Sequence, residues 1–164
     1  MGRFPRAPSH PDLSVRIALV HRDLHAVTRG GICTLYRALA PRLRDAGHDI
    51  TLITQESPHP LQMNEIQVRS LPRTEDLDAH RTAVDETLIG LRPDIVESSS
   101  WESETLHYAR RPARERAPIV IRGDLSAATM HAWPHLVASE DELLHRAETV
   151  LAVSDFAARD LNAA

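Results

Sequence analysis

The chain has 164 residues, of which 42% are hydrophobic and 26% are charged, values that are ordinary for a single globular domain. Its net charge of -4 predicts no general attraction to nucleic acid or to an anionic membrane surface, so we expect no nucleic-acid partner. All 19 basic residues are arginine, which excludes Schiff-base and P-loop lysine chemistry. The single Cys33 excludes an internal disulfide and a CxxC metal site.

The sequence contains no segment that is typical of a secretory leader or a membrane span. A span needs about 18 consecutive apolar residues, and no stretch approaches that length. We therefore expect a cytoplasmic protein with no membrane span. Residues 1–13, which include Pro5, Pro8 and Pro11, predict a flexible tail, and residues 14–164 predict one domain.

The first predicted element after this tail is a buried β-strand at residues 15–21, with the sequence VRIALVH. Continuous hydrophobicity, rather than alternation, is typical of a strand that is covered on both faces, as in a parallel sheet. A polar loop then leads to Gly30 and Gly31. Apolar residues recur at helical spacing over 32–46, and Gly47 predicts the end of that helix.

Strands and helices continue to alternate along the rest of the chain. Further strands are predicted at 49–54, 65–71, 95–96, 117–123 and 149–154. Helices are predicted from Thr74 to about Leu91, over 102–111, from the capping-box pair of Ser139 and Glu142 to about 147, and from Ser154 through Leu161. This alternation predicts an α/β fold with a doubly wound parallel sheet of about six strands.

The loops that follow the strands are candidate sites, because ligands of an open parallel sheet bind outside the carboxyl ends of its strands. His21 ends the first predicted strand and Glu97 follows the fourth, so both are candidate substrate-binding residues. Trp101, in the same loop as Glu97, could stack on a sugar ring. Ser99 and Ser100 offer the alternative that this segment only caps a helix.

Two further loops carry residues suited to an anion or a hydroxyl group. Gly30 and Gly31 precede a helix, where free N–H groups favour an anion and the missing side chains allow a phosphate or a sugar to approach closely. Alternatively, they form a tight loop that needs positive φ. Arg122 and Asp124 end the fifth strand, and Asp124 is the candidate catalytic acid or base. Otherwise it is a solvated residue or the ion-pair partner of Arg122.

We expect no metal ion and no cofactor. The pairs His21 with His25 and His131 with His135 have a spacing that could bind a metal, but ten histidines make such pairs common by chance. The dinucleotide-binding pattern GxGxxG and the Walker pattern that ends in Gly-Lys-Ser/Thr do not occur in the sequence.

Several strings of this chain occur together, in this order, in one known family. The segment 15–54 combines a strand, the Gly30-Gly31 loop, an amphipathic helix and Gly47-His48-Asp49 before the next strand. The strings LRPDIVESSS (91–100), APIVIRGDLS (117–126) and AETVLAVSDFAARDL (147–161) follow it. This set, which covers residues 15–161, resembles the N-terminal, Rossmann-like domain of the retaining, GT-B-fold glycosyltransferases of the large family-four group.

The resemblance implies a nucleotide-sugar donor that is held mainly by a second, C-terminal domain, while the first domain supplies the acceptor pocket. It implies that Gly30 and Gly31 face the donor diphosphate. In the family, a polar residue after the fifth strand, often His, contacts the transferred sugar or the acceptor, and Asp124 and Arg122 are the nearest equivalents here. The family's donor-binding domain has no counterpart before Ala164, so we expect the chain to need such a domain or a separate subunit.

The sequence therefore predicts the acceptor-side half of a nucleotide-sugar-dependent glycosyltransferase that acts with retention on a small-molecule acceptor and is inactive alone. Exposed apolar residues such as Trp101 and Trp133 are expected at the carboxyl ends of the strands, where the partner would bind. Two alternatives remain open. The chain could be a non-catalytic subunit that binds a sugar or a protein, or half of an enzyme similar to the sugar-nucleotide 2-epimerases.

Overall fold

The computed structural model describes residues 14–27 and 30–163, so the predicted tail at 1–13 lies outside the described residues, as do residues 28 and 29 of the first loop. The strands of the described chain are β1 (Arg16–Val20), β2 (Asp49–Gln55), β3 (Gln67–Leu71), β4 (Ile95–Ser99), β5 (Ile119–Gly123) and β6 (Thr149–Ala152). The α-helices are α1 (Gly31–Asp45), α2 (Leu77–Leu91), α3 (Leu106–Ala109), α4 (Pro134–Arg146) and α5 (Asp155–Ala163).

These six strands form one sheet in which all neighbours run parallel, in the order β3-β2-β1-β4-β5-β6. The predicted doubly wound α/β fold with about six parallel strands is therefore confirmed. The strand order reverses beside β1, which pairs with β2 on one side and with β4 on the other. Such a reversal opens a crevice at the carboxyl ends of the central strands.

Two apolar clusters cover the two faces of the sheet. Ala18 and Val20 of β1 belong to a cluster that includes Leu88 of α2. Leu19, which lies between them, belongs to the other cluster, together with Tyr36 of α1. Both faces of β1 are thus covered, which explains why its sequence is continuously hydrophobic.

The ends of α1 and α2 are formed by residues whose roles are recognisable in the sequence. Gly47 has a φ of 98°, and the N–H groups of Gly47 and His48 donate to carbonyl oxygens in the last turn of α1. A left-handed residue at this position favours glycine. At the start of α2, the Asp76 carboxylate accepts hydrogen bonds from the N–H groups of Asp78 and Ala79, as an N-cap does.

The predicted helix over 102–111 is confirmed only at Leu106–Ala109, and its first part is wrong. The chain forms a 3-10 turn at Trp101–Ser103 and then the short helix α3. Glu102 and Ser103 have φ values of 59° and 50°, a left-handed conformation that a right-handed helix cannot contain. The Arg81 guanidinium of α2 donates two hydrogen bonds to the Glu102 carbonyl oxygen, and these bonds hold the turn in place.

The predicted capping box at Ser139 and Glu142 is also wrong, because α4 begins earlier, at Pro134. Proline suits the first position of a helix, since the N–H group it lacks would have no partner there. Ser139 instead lies inside the helix and donates its hydroxyl hydrogen to the His135 carbonyl oxygen. The predicted cap of the last helix is correct, because the Ser154 hydroxyl accepts a hydrogen bond from the first turn of α5.

Candidate functional site

The carboxyl edge of the sheet brings the predicted site residues together. His21 follows β1, Glu97 lies in β4 and Arg122 lies in β5, and these three strands are neighbours in the sheet. Helix α1 starts at the same edge, since Gly31 lies next to Asp124 in the loop after β5. The parallel order of the strands therefore gathers residues that lie far apart in the sequence.

Glu97 and Arg122 form an ion pair between neighbouring strands. The Arg122 Nε donates to a Glu97 carboxylate oxygen at 2.8 Å, and the two side chains are 18% (Arg122) and 11% (Glu97) exposed. Burial by itself lowers the pKa of Arg122, but the hydrogen bond to Glu97 and the nearby negative charges together outweigh burial, so the pKa is raised and the guanidinium stays charged. The partner of Arg122 is thus Glu97 rather than Asp124.

Tyr36 of α1 is fully buried close to this ion pair. Within the described part of the chain, its hydroxyl group has no hydrogen-bond partner. Burial, with the nearby Glu97 carboxylate, raises the pKa of Tyr36 well above its usual value. Tyr36 therefore stays neutral and contributes buried apolar surface beside the ion pair at the carboxyl edge of the sheet.

The Gly30-Gly31 segment does not need glycine for its backbone conformation. Gly30 is extended, with a φ of -67° and a ψ of 159°, and neither glycine has positive φ. A methyl group on Gly31 would lie 3.9 Å from an Asp124 carboxylate oxygen, and one on Gly30 would lie 3.9 Å from the Cys33 sulfur. Both are ordinary contact distances. The interpretation as a tight loop with positive φ is therefore wrong, and close approach of a bound group stays the prediction.

Carboxylates from α4 and α5 fix the loop that contains Asp124. Asp160 accepts a hydrogen bond from the Ser126 N–H at 2.6 Å, and Glu140 accepts one from the Ala127 N–H. The bond from Ser126 is the main cause of a lowered pKa at Asp160, so this carboxylate is ionised at neutral pH. Asp124 is exposed, but the backbone that follows it is held in a defined position.

A buried hydrogen-bond network, which sequence reasoning missed, lies behind His21. Glu104 is 1% exposed, with one carboxylate oxygen 3.1 Å from His21 Nδ1 and the other 2.8 Å from His80 Nε2. His80 Nδ1 lies 3.0 Å from the side-chain amide nitrogen of Gln55. One signal could have identified His80, because it lies one helical turn before Val84 on the buried face of α2. Glu104 gave no such signal.

The network fixes the charges of His21 and Glu104. Burial alone would lower the pKa of His21, but interactions with the side chains of Cys33 and Glu104 outweigh burial and raise the pKa to about 10. Burial alone would raise the pKa of Glu104, but hydrogen bonds with His21 and His80 lower it to about 2. At neutral pH an imidazolium therefore faces a carboxylate at the end of β1.

Two tryptophans expose apolar surface near this edge. Trp101, in the turn after β4, is 38% exposed, and Trp133, directly before α4, is 74% exposed. The turn that contains Trp101 packs against α4. The exposure matches the sequence-based expectation, and a partner that covers this surface stays a prediction.

Neither a metal centre nor a membrane-spanning helix is found in the described chain. Among residues 14–27 and 30–163, no three His, Cys, Asp or Glu side chains are grouped so that they could hold a metal ion. Nor does any helix in this part of the chain have the length and the apolar character that crossing a membrane requires. The expectation that no cofactor takes part stays a prediction.

A match to one protein family covers most of the sequence. Residues 30–164 match the family model described as "Glycosyl transferase 4-like domain". The chain belongs to this family. Comparison of this glycosyl transferase 4-like chain with curated proteins gives no match.

Solved structures with a similar fold are glycosyltransferases. One is an α-glucosyltransferase in complex with UDP and a 13-mer DNA containing a HMU base, with a TM-score of 0.54 and 12% identity over 85% of the glycosyl transferase 4-like chain. Another is an α-glucosyltransferase in complex with UDP and a 13-mer DNA containing a central A:G mismatch, with a TM-score of 0.52 and 16% identity over 87%. The chain spans 38% of the length of each. The predicted likeness to the N-terminal domain of a GT-B glycosyltransferase is confirmed.

The exclusion of nucleic acid as a partner is wrong. It rested on the net charge of -4, but both of these similar structures are complexes with DNA. Net charge describes the whole domain, whereas contact with nucleic acid depends on the local surface that meets the phosphates and bases. An acidic total therefore does not exclude such a contact.

Proposed function

We propose that this glycosyl transferase 4-like chain is the acceptor-side domain of a nucleotide-sugar-dependent glycosyltransferase that transfers the sugar with retention of configuration. It acts together with a donor-binding domain, which lies on the same polypeptide or on a partner chain. One observation carries the proposal. A glycine-lined helix start, a buried ion pair and an exposed carboxylate meet at the switch point of the sheet.

The start of α1 supports binding of the donor diphosphate. The first N–H groups of a helix have no partner within the helix, and the helix dipole places positive charge there. No acidic side chain lies in the first turn of α1, all of which is described, so its own sequence does not neutralise this charge. Gly30 and Gly31 let a phosphate approach the backbone closely. The departing nucleotide diphosphate carries the charge that develops during transfer, and such a site stabilises it.

The loop after β5 supports a role in acceptor binding. Asp124 is exposed next to Gly31, so its carboxylate can accept a hydrogen bond from an acceptor hydroxyl close to the diphosphate. Arg122 and Glu97 are held by each other in fixed orientations, as groups that bind sugar hydroxyls must be. Trp101 offers an exposed ring on which a sugar can stack.

The exposed tryptophans and the length of the chain support a second domain. The chain spans 38% of the length of each similar glucosyltransferase. A domain that covers Trp101 and Trp133 would close the crevice at the carboxyl edge and exclude water from the transferred sugar. Since both similar structures contain DNA, the acceptors to be tested include oligonucleotides as well as small hydroxyl compounds.

An assay of sugar transfer tests the proposal. The chain is assayed alone and together with a candidate donor-binding domain, with a panel of nucleotide sugars and hydroxyl acceptors. We expect transfer only in the combined sample, with the anomeric configuration retained as shown by NMR. Inversion would contradict retention. Binding without transfer would favour the non-catalytic subunit, and a 2-epimerised nucleotide sugar would favour the epimerase alternative.

Two variants in the combined sample separate the proposed site from the rest of the surface. Asp124→Asn removes the exposed carboxylate without a change in size. We expect the transfer rate to fall by about tenfold or more, because a positioned proton acceptor typically contributes at least that much. Glu86→Gln, on the exposed face of α2, is the matched control and should leave the rate unchanged. Equal rates for the two variants would remove Asp124 from the site.

A further inference from the structure

The hydrogen-bond roles in the buried network follow from Gln55. Its amide nitrogen lies 3.3 Å from the Thr74 carbonyl oxygen, which can only accept, so this nitrogen is the donor. The same nitrogen lies 3.0 Å from His80 Nδ1, which must therefore accept. His80 then donates from Nε2 to Glu104 at 2.8 Å. The tautomer of His80 is thus fixed by the residues around it.

The orientation of His21 follows from Glu104 in the same way. An ionised carboxylate only accepts, so His21 donates from Nδ1 to Glu104, and its second nitrogen points away from that carboxylate. On the side towards α1, His21 interacts with the Cys33 side chain. The Cys33 sulfur lies 3.9 Å from the position that a methyl group on Gly30 would take. His21 therefore lies directly behind the first turn of α1.

We propose that Glu104 is a positioning residue that holds a charged His21 behind the start of α1 and thereby strengthens the binding of an anionic diphosphate at Gly30 and Gly31. This inference rests on the proposed function, because it takes the donor diphosphate as the anion. Glu104 acts through His21 and does not touch the ligand. The positive member of the pair faces the helix start, where it adds to the dipole of α1.

The burial of this pair supports a role beyond folding. Removal of a carboxylate and an imidazolium from water is unfavourable, and well-packed apolar residues are often more stable in the same place. Glu104 and His80 are each 1% exposed, and both carboxylate oxygens of Glu104 are engaged. The charge that Glu104 fixes on His21 lies behind the predicted diphosphate site, and this is the role that we assign to the pair.

Charged and titratable groups face the pair from each packed element. Cys33 of α1 interacts with His21, and Tyr36 of α1 and His80 and Arg81 of α2 interact with Glu104. Further out, Glu97 and Arg122 of β4 and β5 act on Tyr36, and Glu102, which pairs with Arg22 of the loop after β1, acts on Arg81. Of these groups, His80 is the one that hydrogen-bonds to Glu104 besides His21 itself. A change at Glu104 therefore acts first on the two histidines.

NMR on the chain labelled with 13C and 15N tests the inference. The ring resonances of His21 give its pKa, and the amide resonances of Gly30 and Gly31 report the binding of inorganic pyrophosphate, the probe for a diphosphate. In the unmodified chain we expect His21 to titrate well above 6.5, the ordinary value, and pyrophosphate to shift both glycine amides.

Glu104→Gln keeps the size of the side chain and removes its charge. We expect the pKa of His21 to fall towards its ordinary value and the affinity for pyrophosphate to fall by about fivefold or more, the lower end of typical coupling between sites. His21→Asn should lose a similar factor, and the double variant should lose no more than the single ones, because Glu104 acts through His21. Glu86→Gln, on the exposed face of α2, is the matched control and should bind pyrophosphate normally.

Three results would overturn the inference. They are a His21 that titrates near 6.5 in the unmodified chain, no shift of the glycine amides by pyrophosphate, and unchanged affinity in a folded His21→Asn variant. The last result decides the question even where Glu104→Gln fails to fold. None of these readouts requires sugar transfer. A chain that couples His21 to pyrophosphate but supports no transfer would keep the positioning role and refute the glycosyltransferase proposal.

Discussion

The amino and carboxyl edges of the sheet carry charge in different ways. At the amino edge, Arg16 and Asp94 form a pair at 2.8 Å in which both side chains are about half exposed. At the carboxyl edge, Glu104 is enclosed and holds two histidines. Exposed pairs contribute little to stability, whereas buried charges need complete partners. The enclosed carboxylate occurs at the edge where the fold places its ligand crevice, which supports the proposal that the carboxyl edge is the functional one.

The two edges also differ in their left-handed residues other than glycine. At the amino edge, Arg92 has positive φ as the ordinary end of α2, and Glu65 has positive φ in the turn before β3. At the carboxyl edge, Glu102 and Ser103 are consecutive left-handed residues without being glycine, and hydrogen bonds from Arg81 hold them. Each such residue stores about 1–3 kcal/mol of strain, which persists only where the surrounding structure imposes it.

Removal of the Glu104 carboxylate should have the largest effect on stability. Glu104→Ala leaves His21 and His80 without their shared partner in a buried site, and we expect the free energy of unfolding to fall by about 3 kcal/mol or more. Asp94→Asn, the matched change at the amino edge, should leave the urea midpoint unchanged, because that pair is exposed. Urea denaturation followed by circular dichroism measures both variants. Similar losses in the two would contradict the contrast between the edges.

The stability of the chain should depend on pH through the same pair. The pKa of His21 is raised in the folded state, from 6.5 to about 10, so its contribution is complete below pH 6.5 and is lost as the pH rises towards 10. The pKa of Glu104 is lowered from 4.5 to about 2, so its contribution is complete above pH 4.5 and is lost as the pH falls towards 2. Urea midpoints between pH 5 and pH 10 should decline on the alkaline side, and less so in Glu104→Gln. Parallel curves for the two proteins would refute this linkage.

Substitution of a glycine by alanine should change the stability least, and two such substitutions should distinguish an effect on pyrophosphate binding from an effect on stability. Gly31→Ala meets only ordinary contacts, so we expect stability to be unchanged or higher by about 0.4–1 kcal/mol, while pyrophosphate binding weakens because the methyl group blocks close approach. Gly123→Ala, at the end of β5, would press on Leu161 of α5 and should lower the melting temperature instead. If Gly31→Ala bound pyrophosphate normally, the space beside Gly31 would not be required for binding.

The sheet could be predicted from the sequence because every strand signal is local. Hydrophobic runs such as β1 are continuous since both faces are covered, and Gly47 and Asp76 mark helix ends by their own chemistry. The first part of the predicted helix over 102–111 is wrong because its interruption depends on Arg81, which approaches from a helix distant in the sequence.

The site could be predicted only in part, for a related reason. The topology rule selected His21, Glu97 and Arg122 because each stands at or directly after the end of a predicted strand. It could not reveal which residues pair, and Arg122 bonds to Glu97 rather than to Asp124. Glu104 lies in a polar string that, by sequence, is typical of a solvated helix. Its burial results from packing among elements that meet only in the folded chain.

Hydrogen–deuterium exchange on the chain combined with a donor-binding domain tests the central claim most directly. Exchange is compared with and without a nucleotide sugar and an acceptor. The account predicts slower exchange at residues 21–27, 30–31, 97–105 and 122–133, all at the carboxyl edge. Slower exchange confined to the amino edge, at 45–49, 92–95 and 115–119, or no change anywhere in the chain, would contradict it.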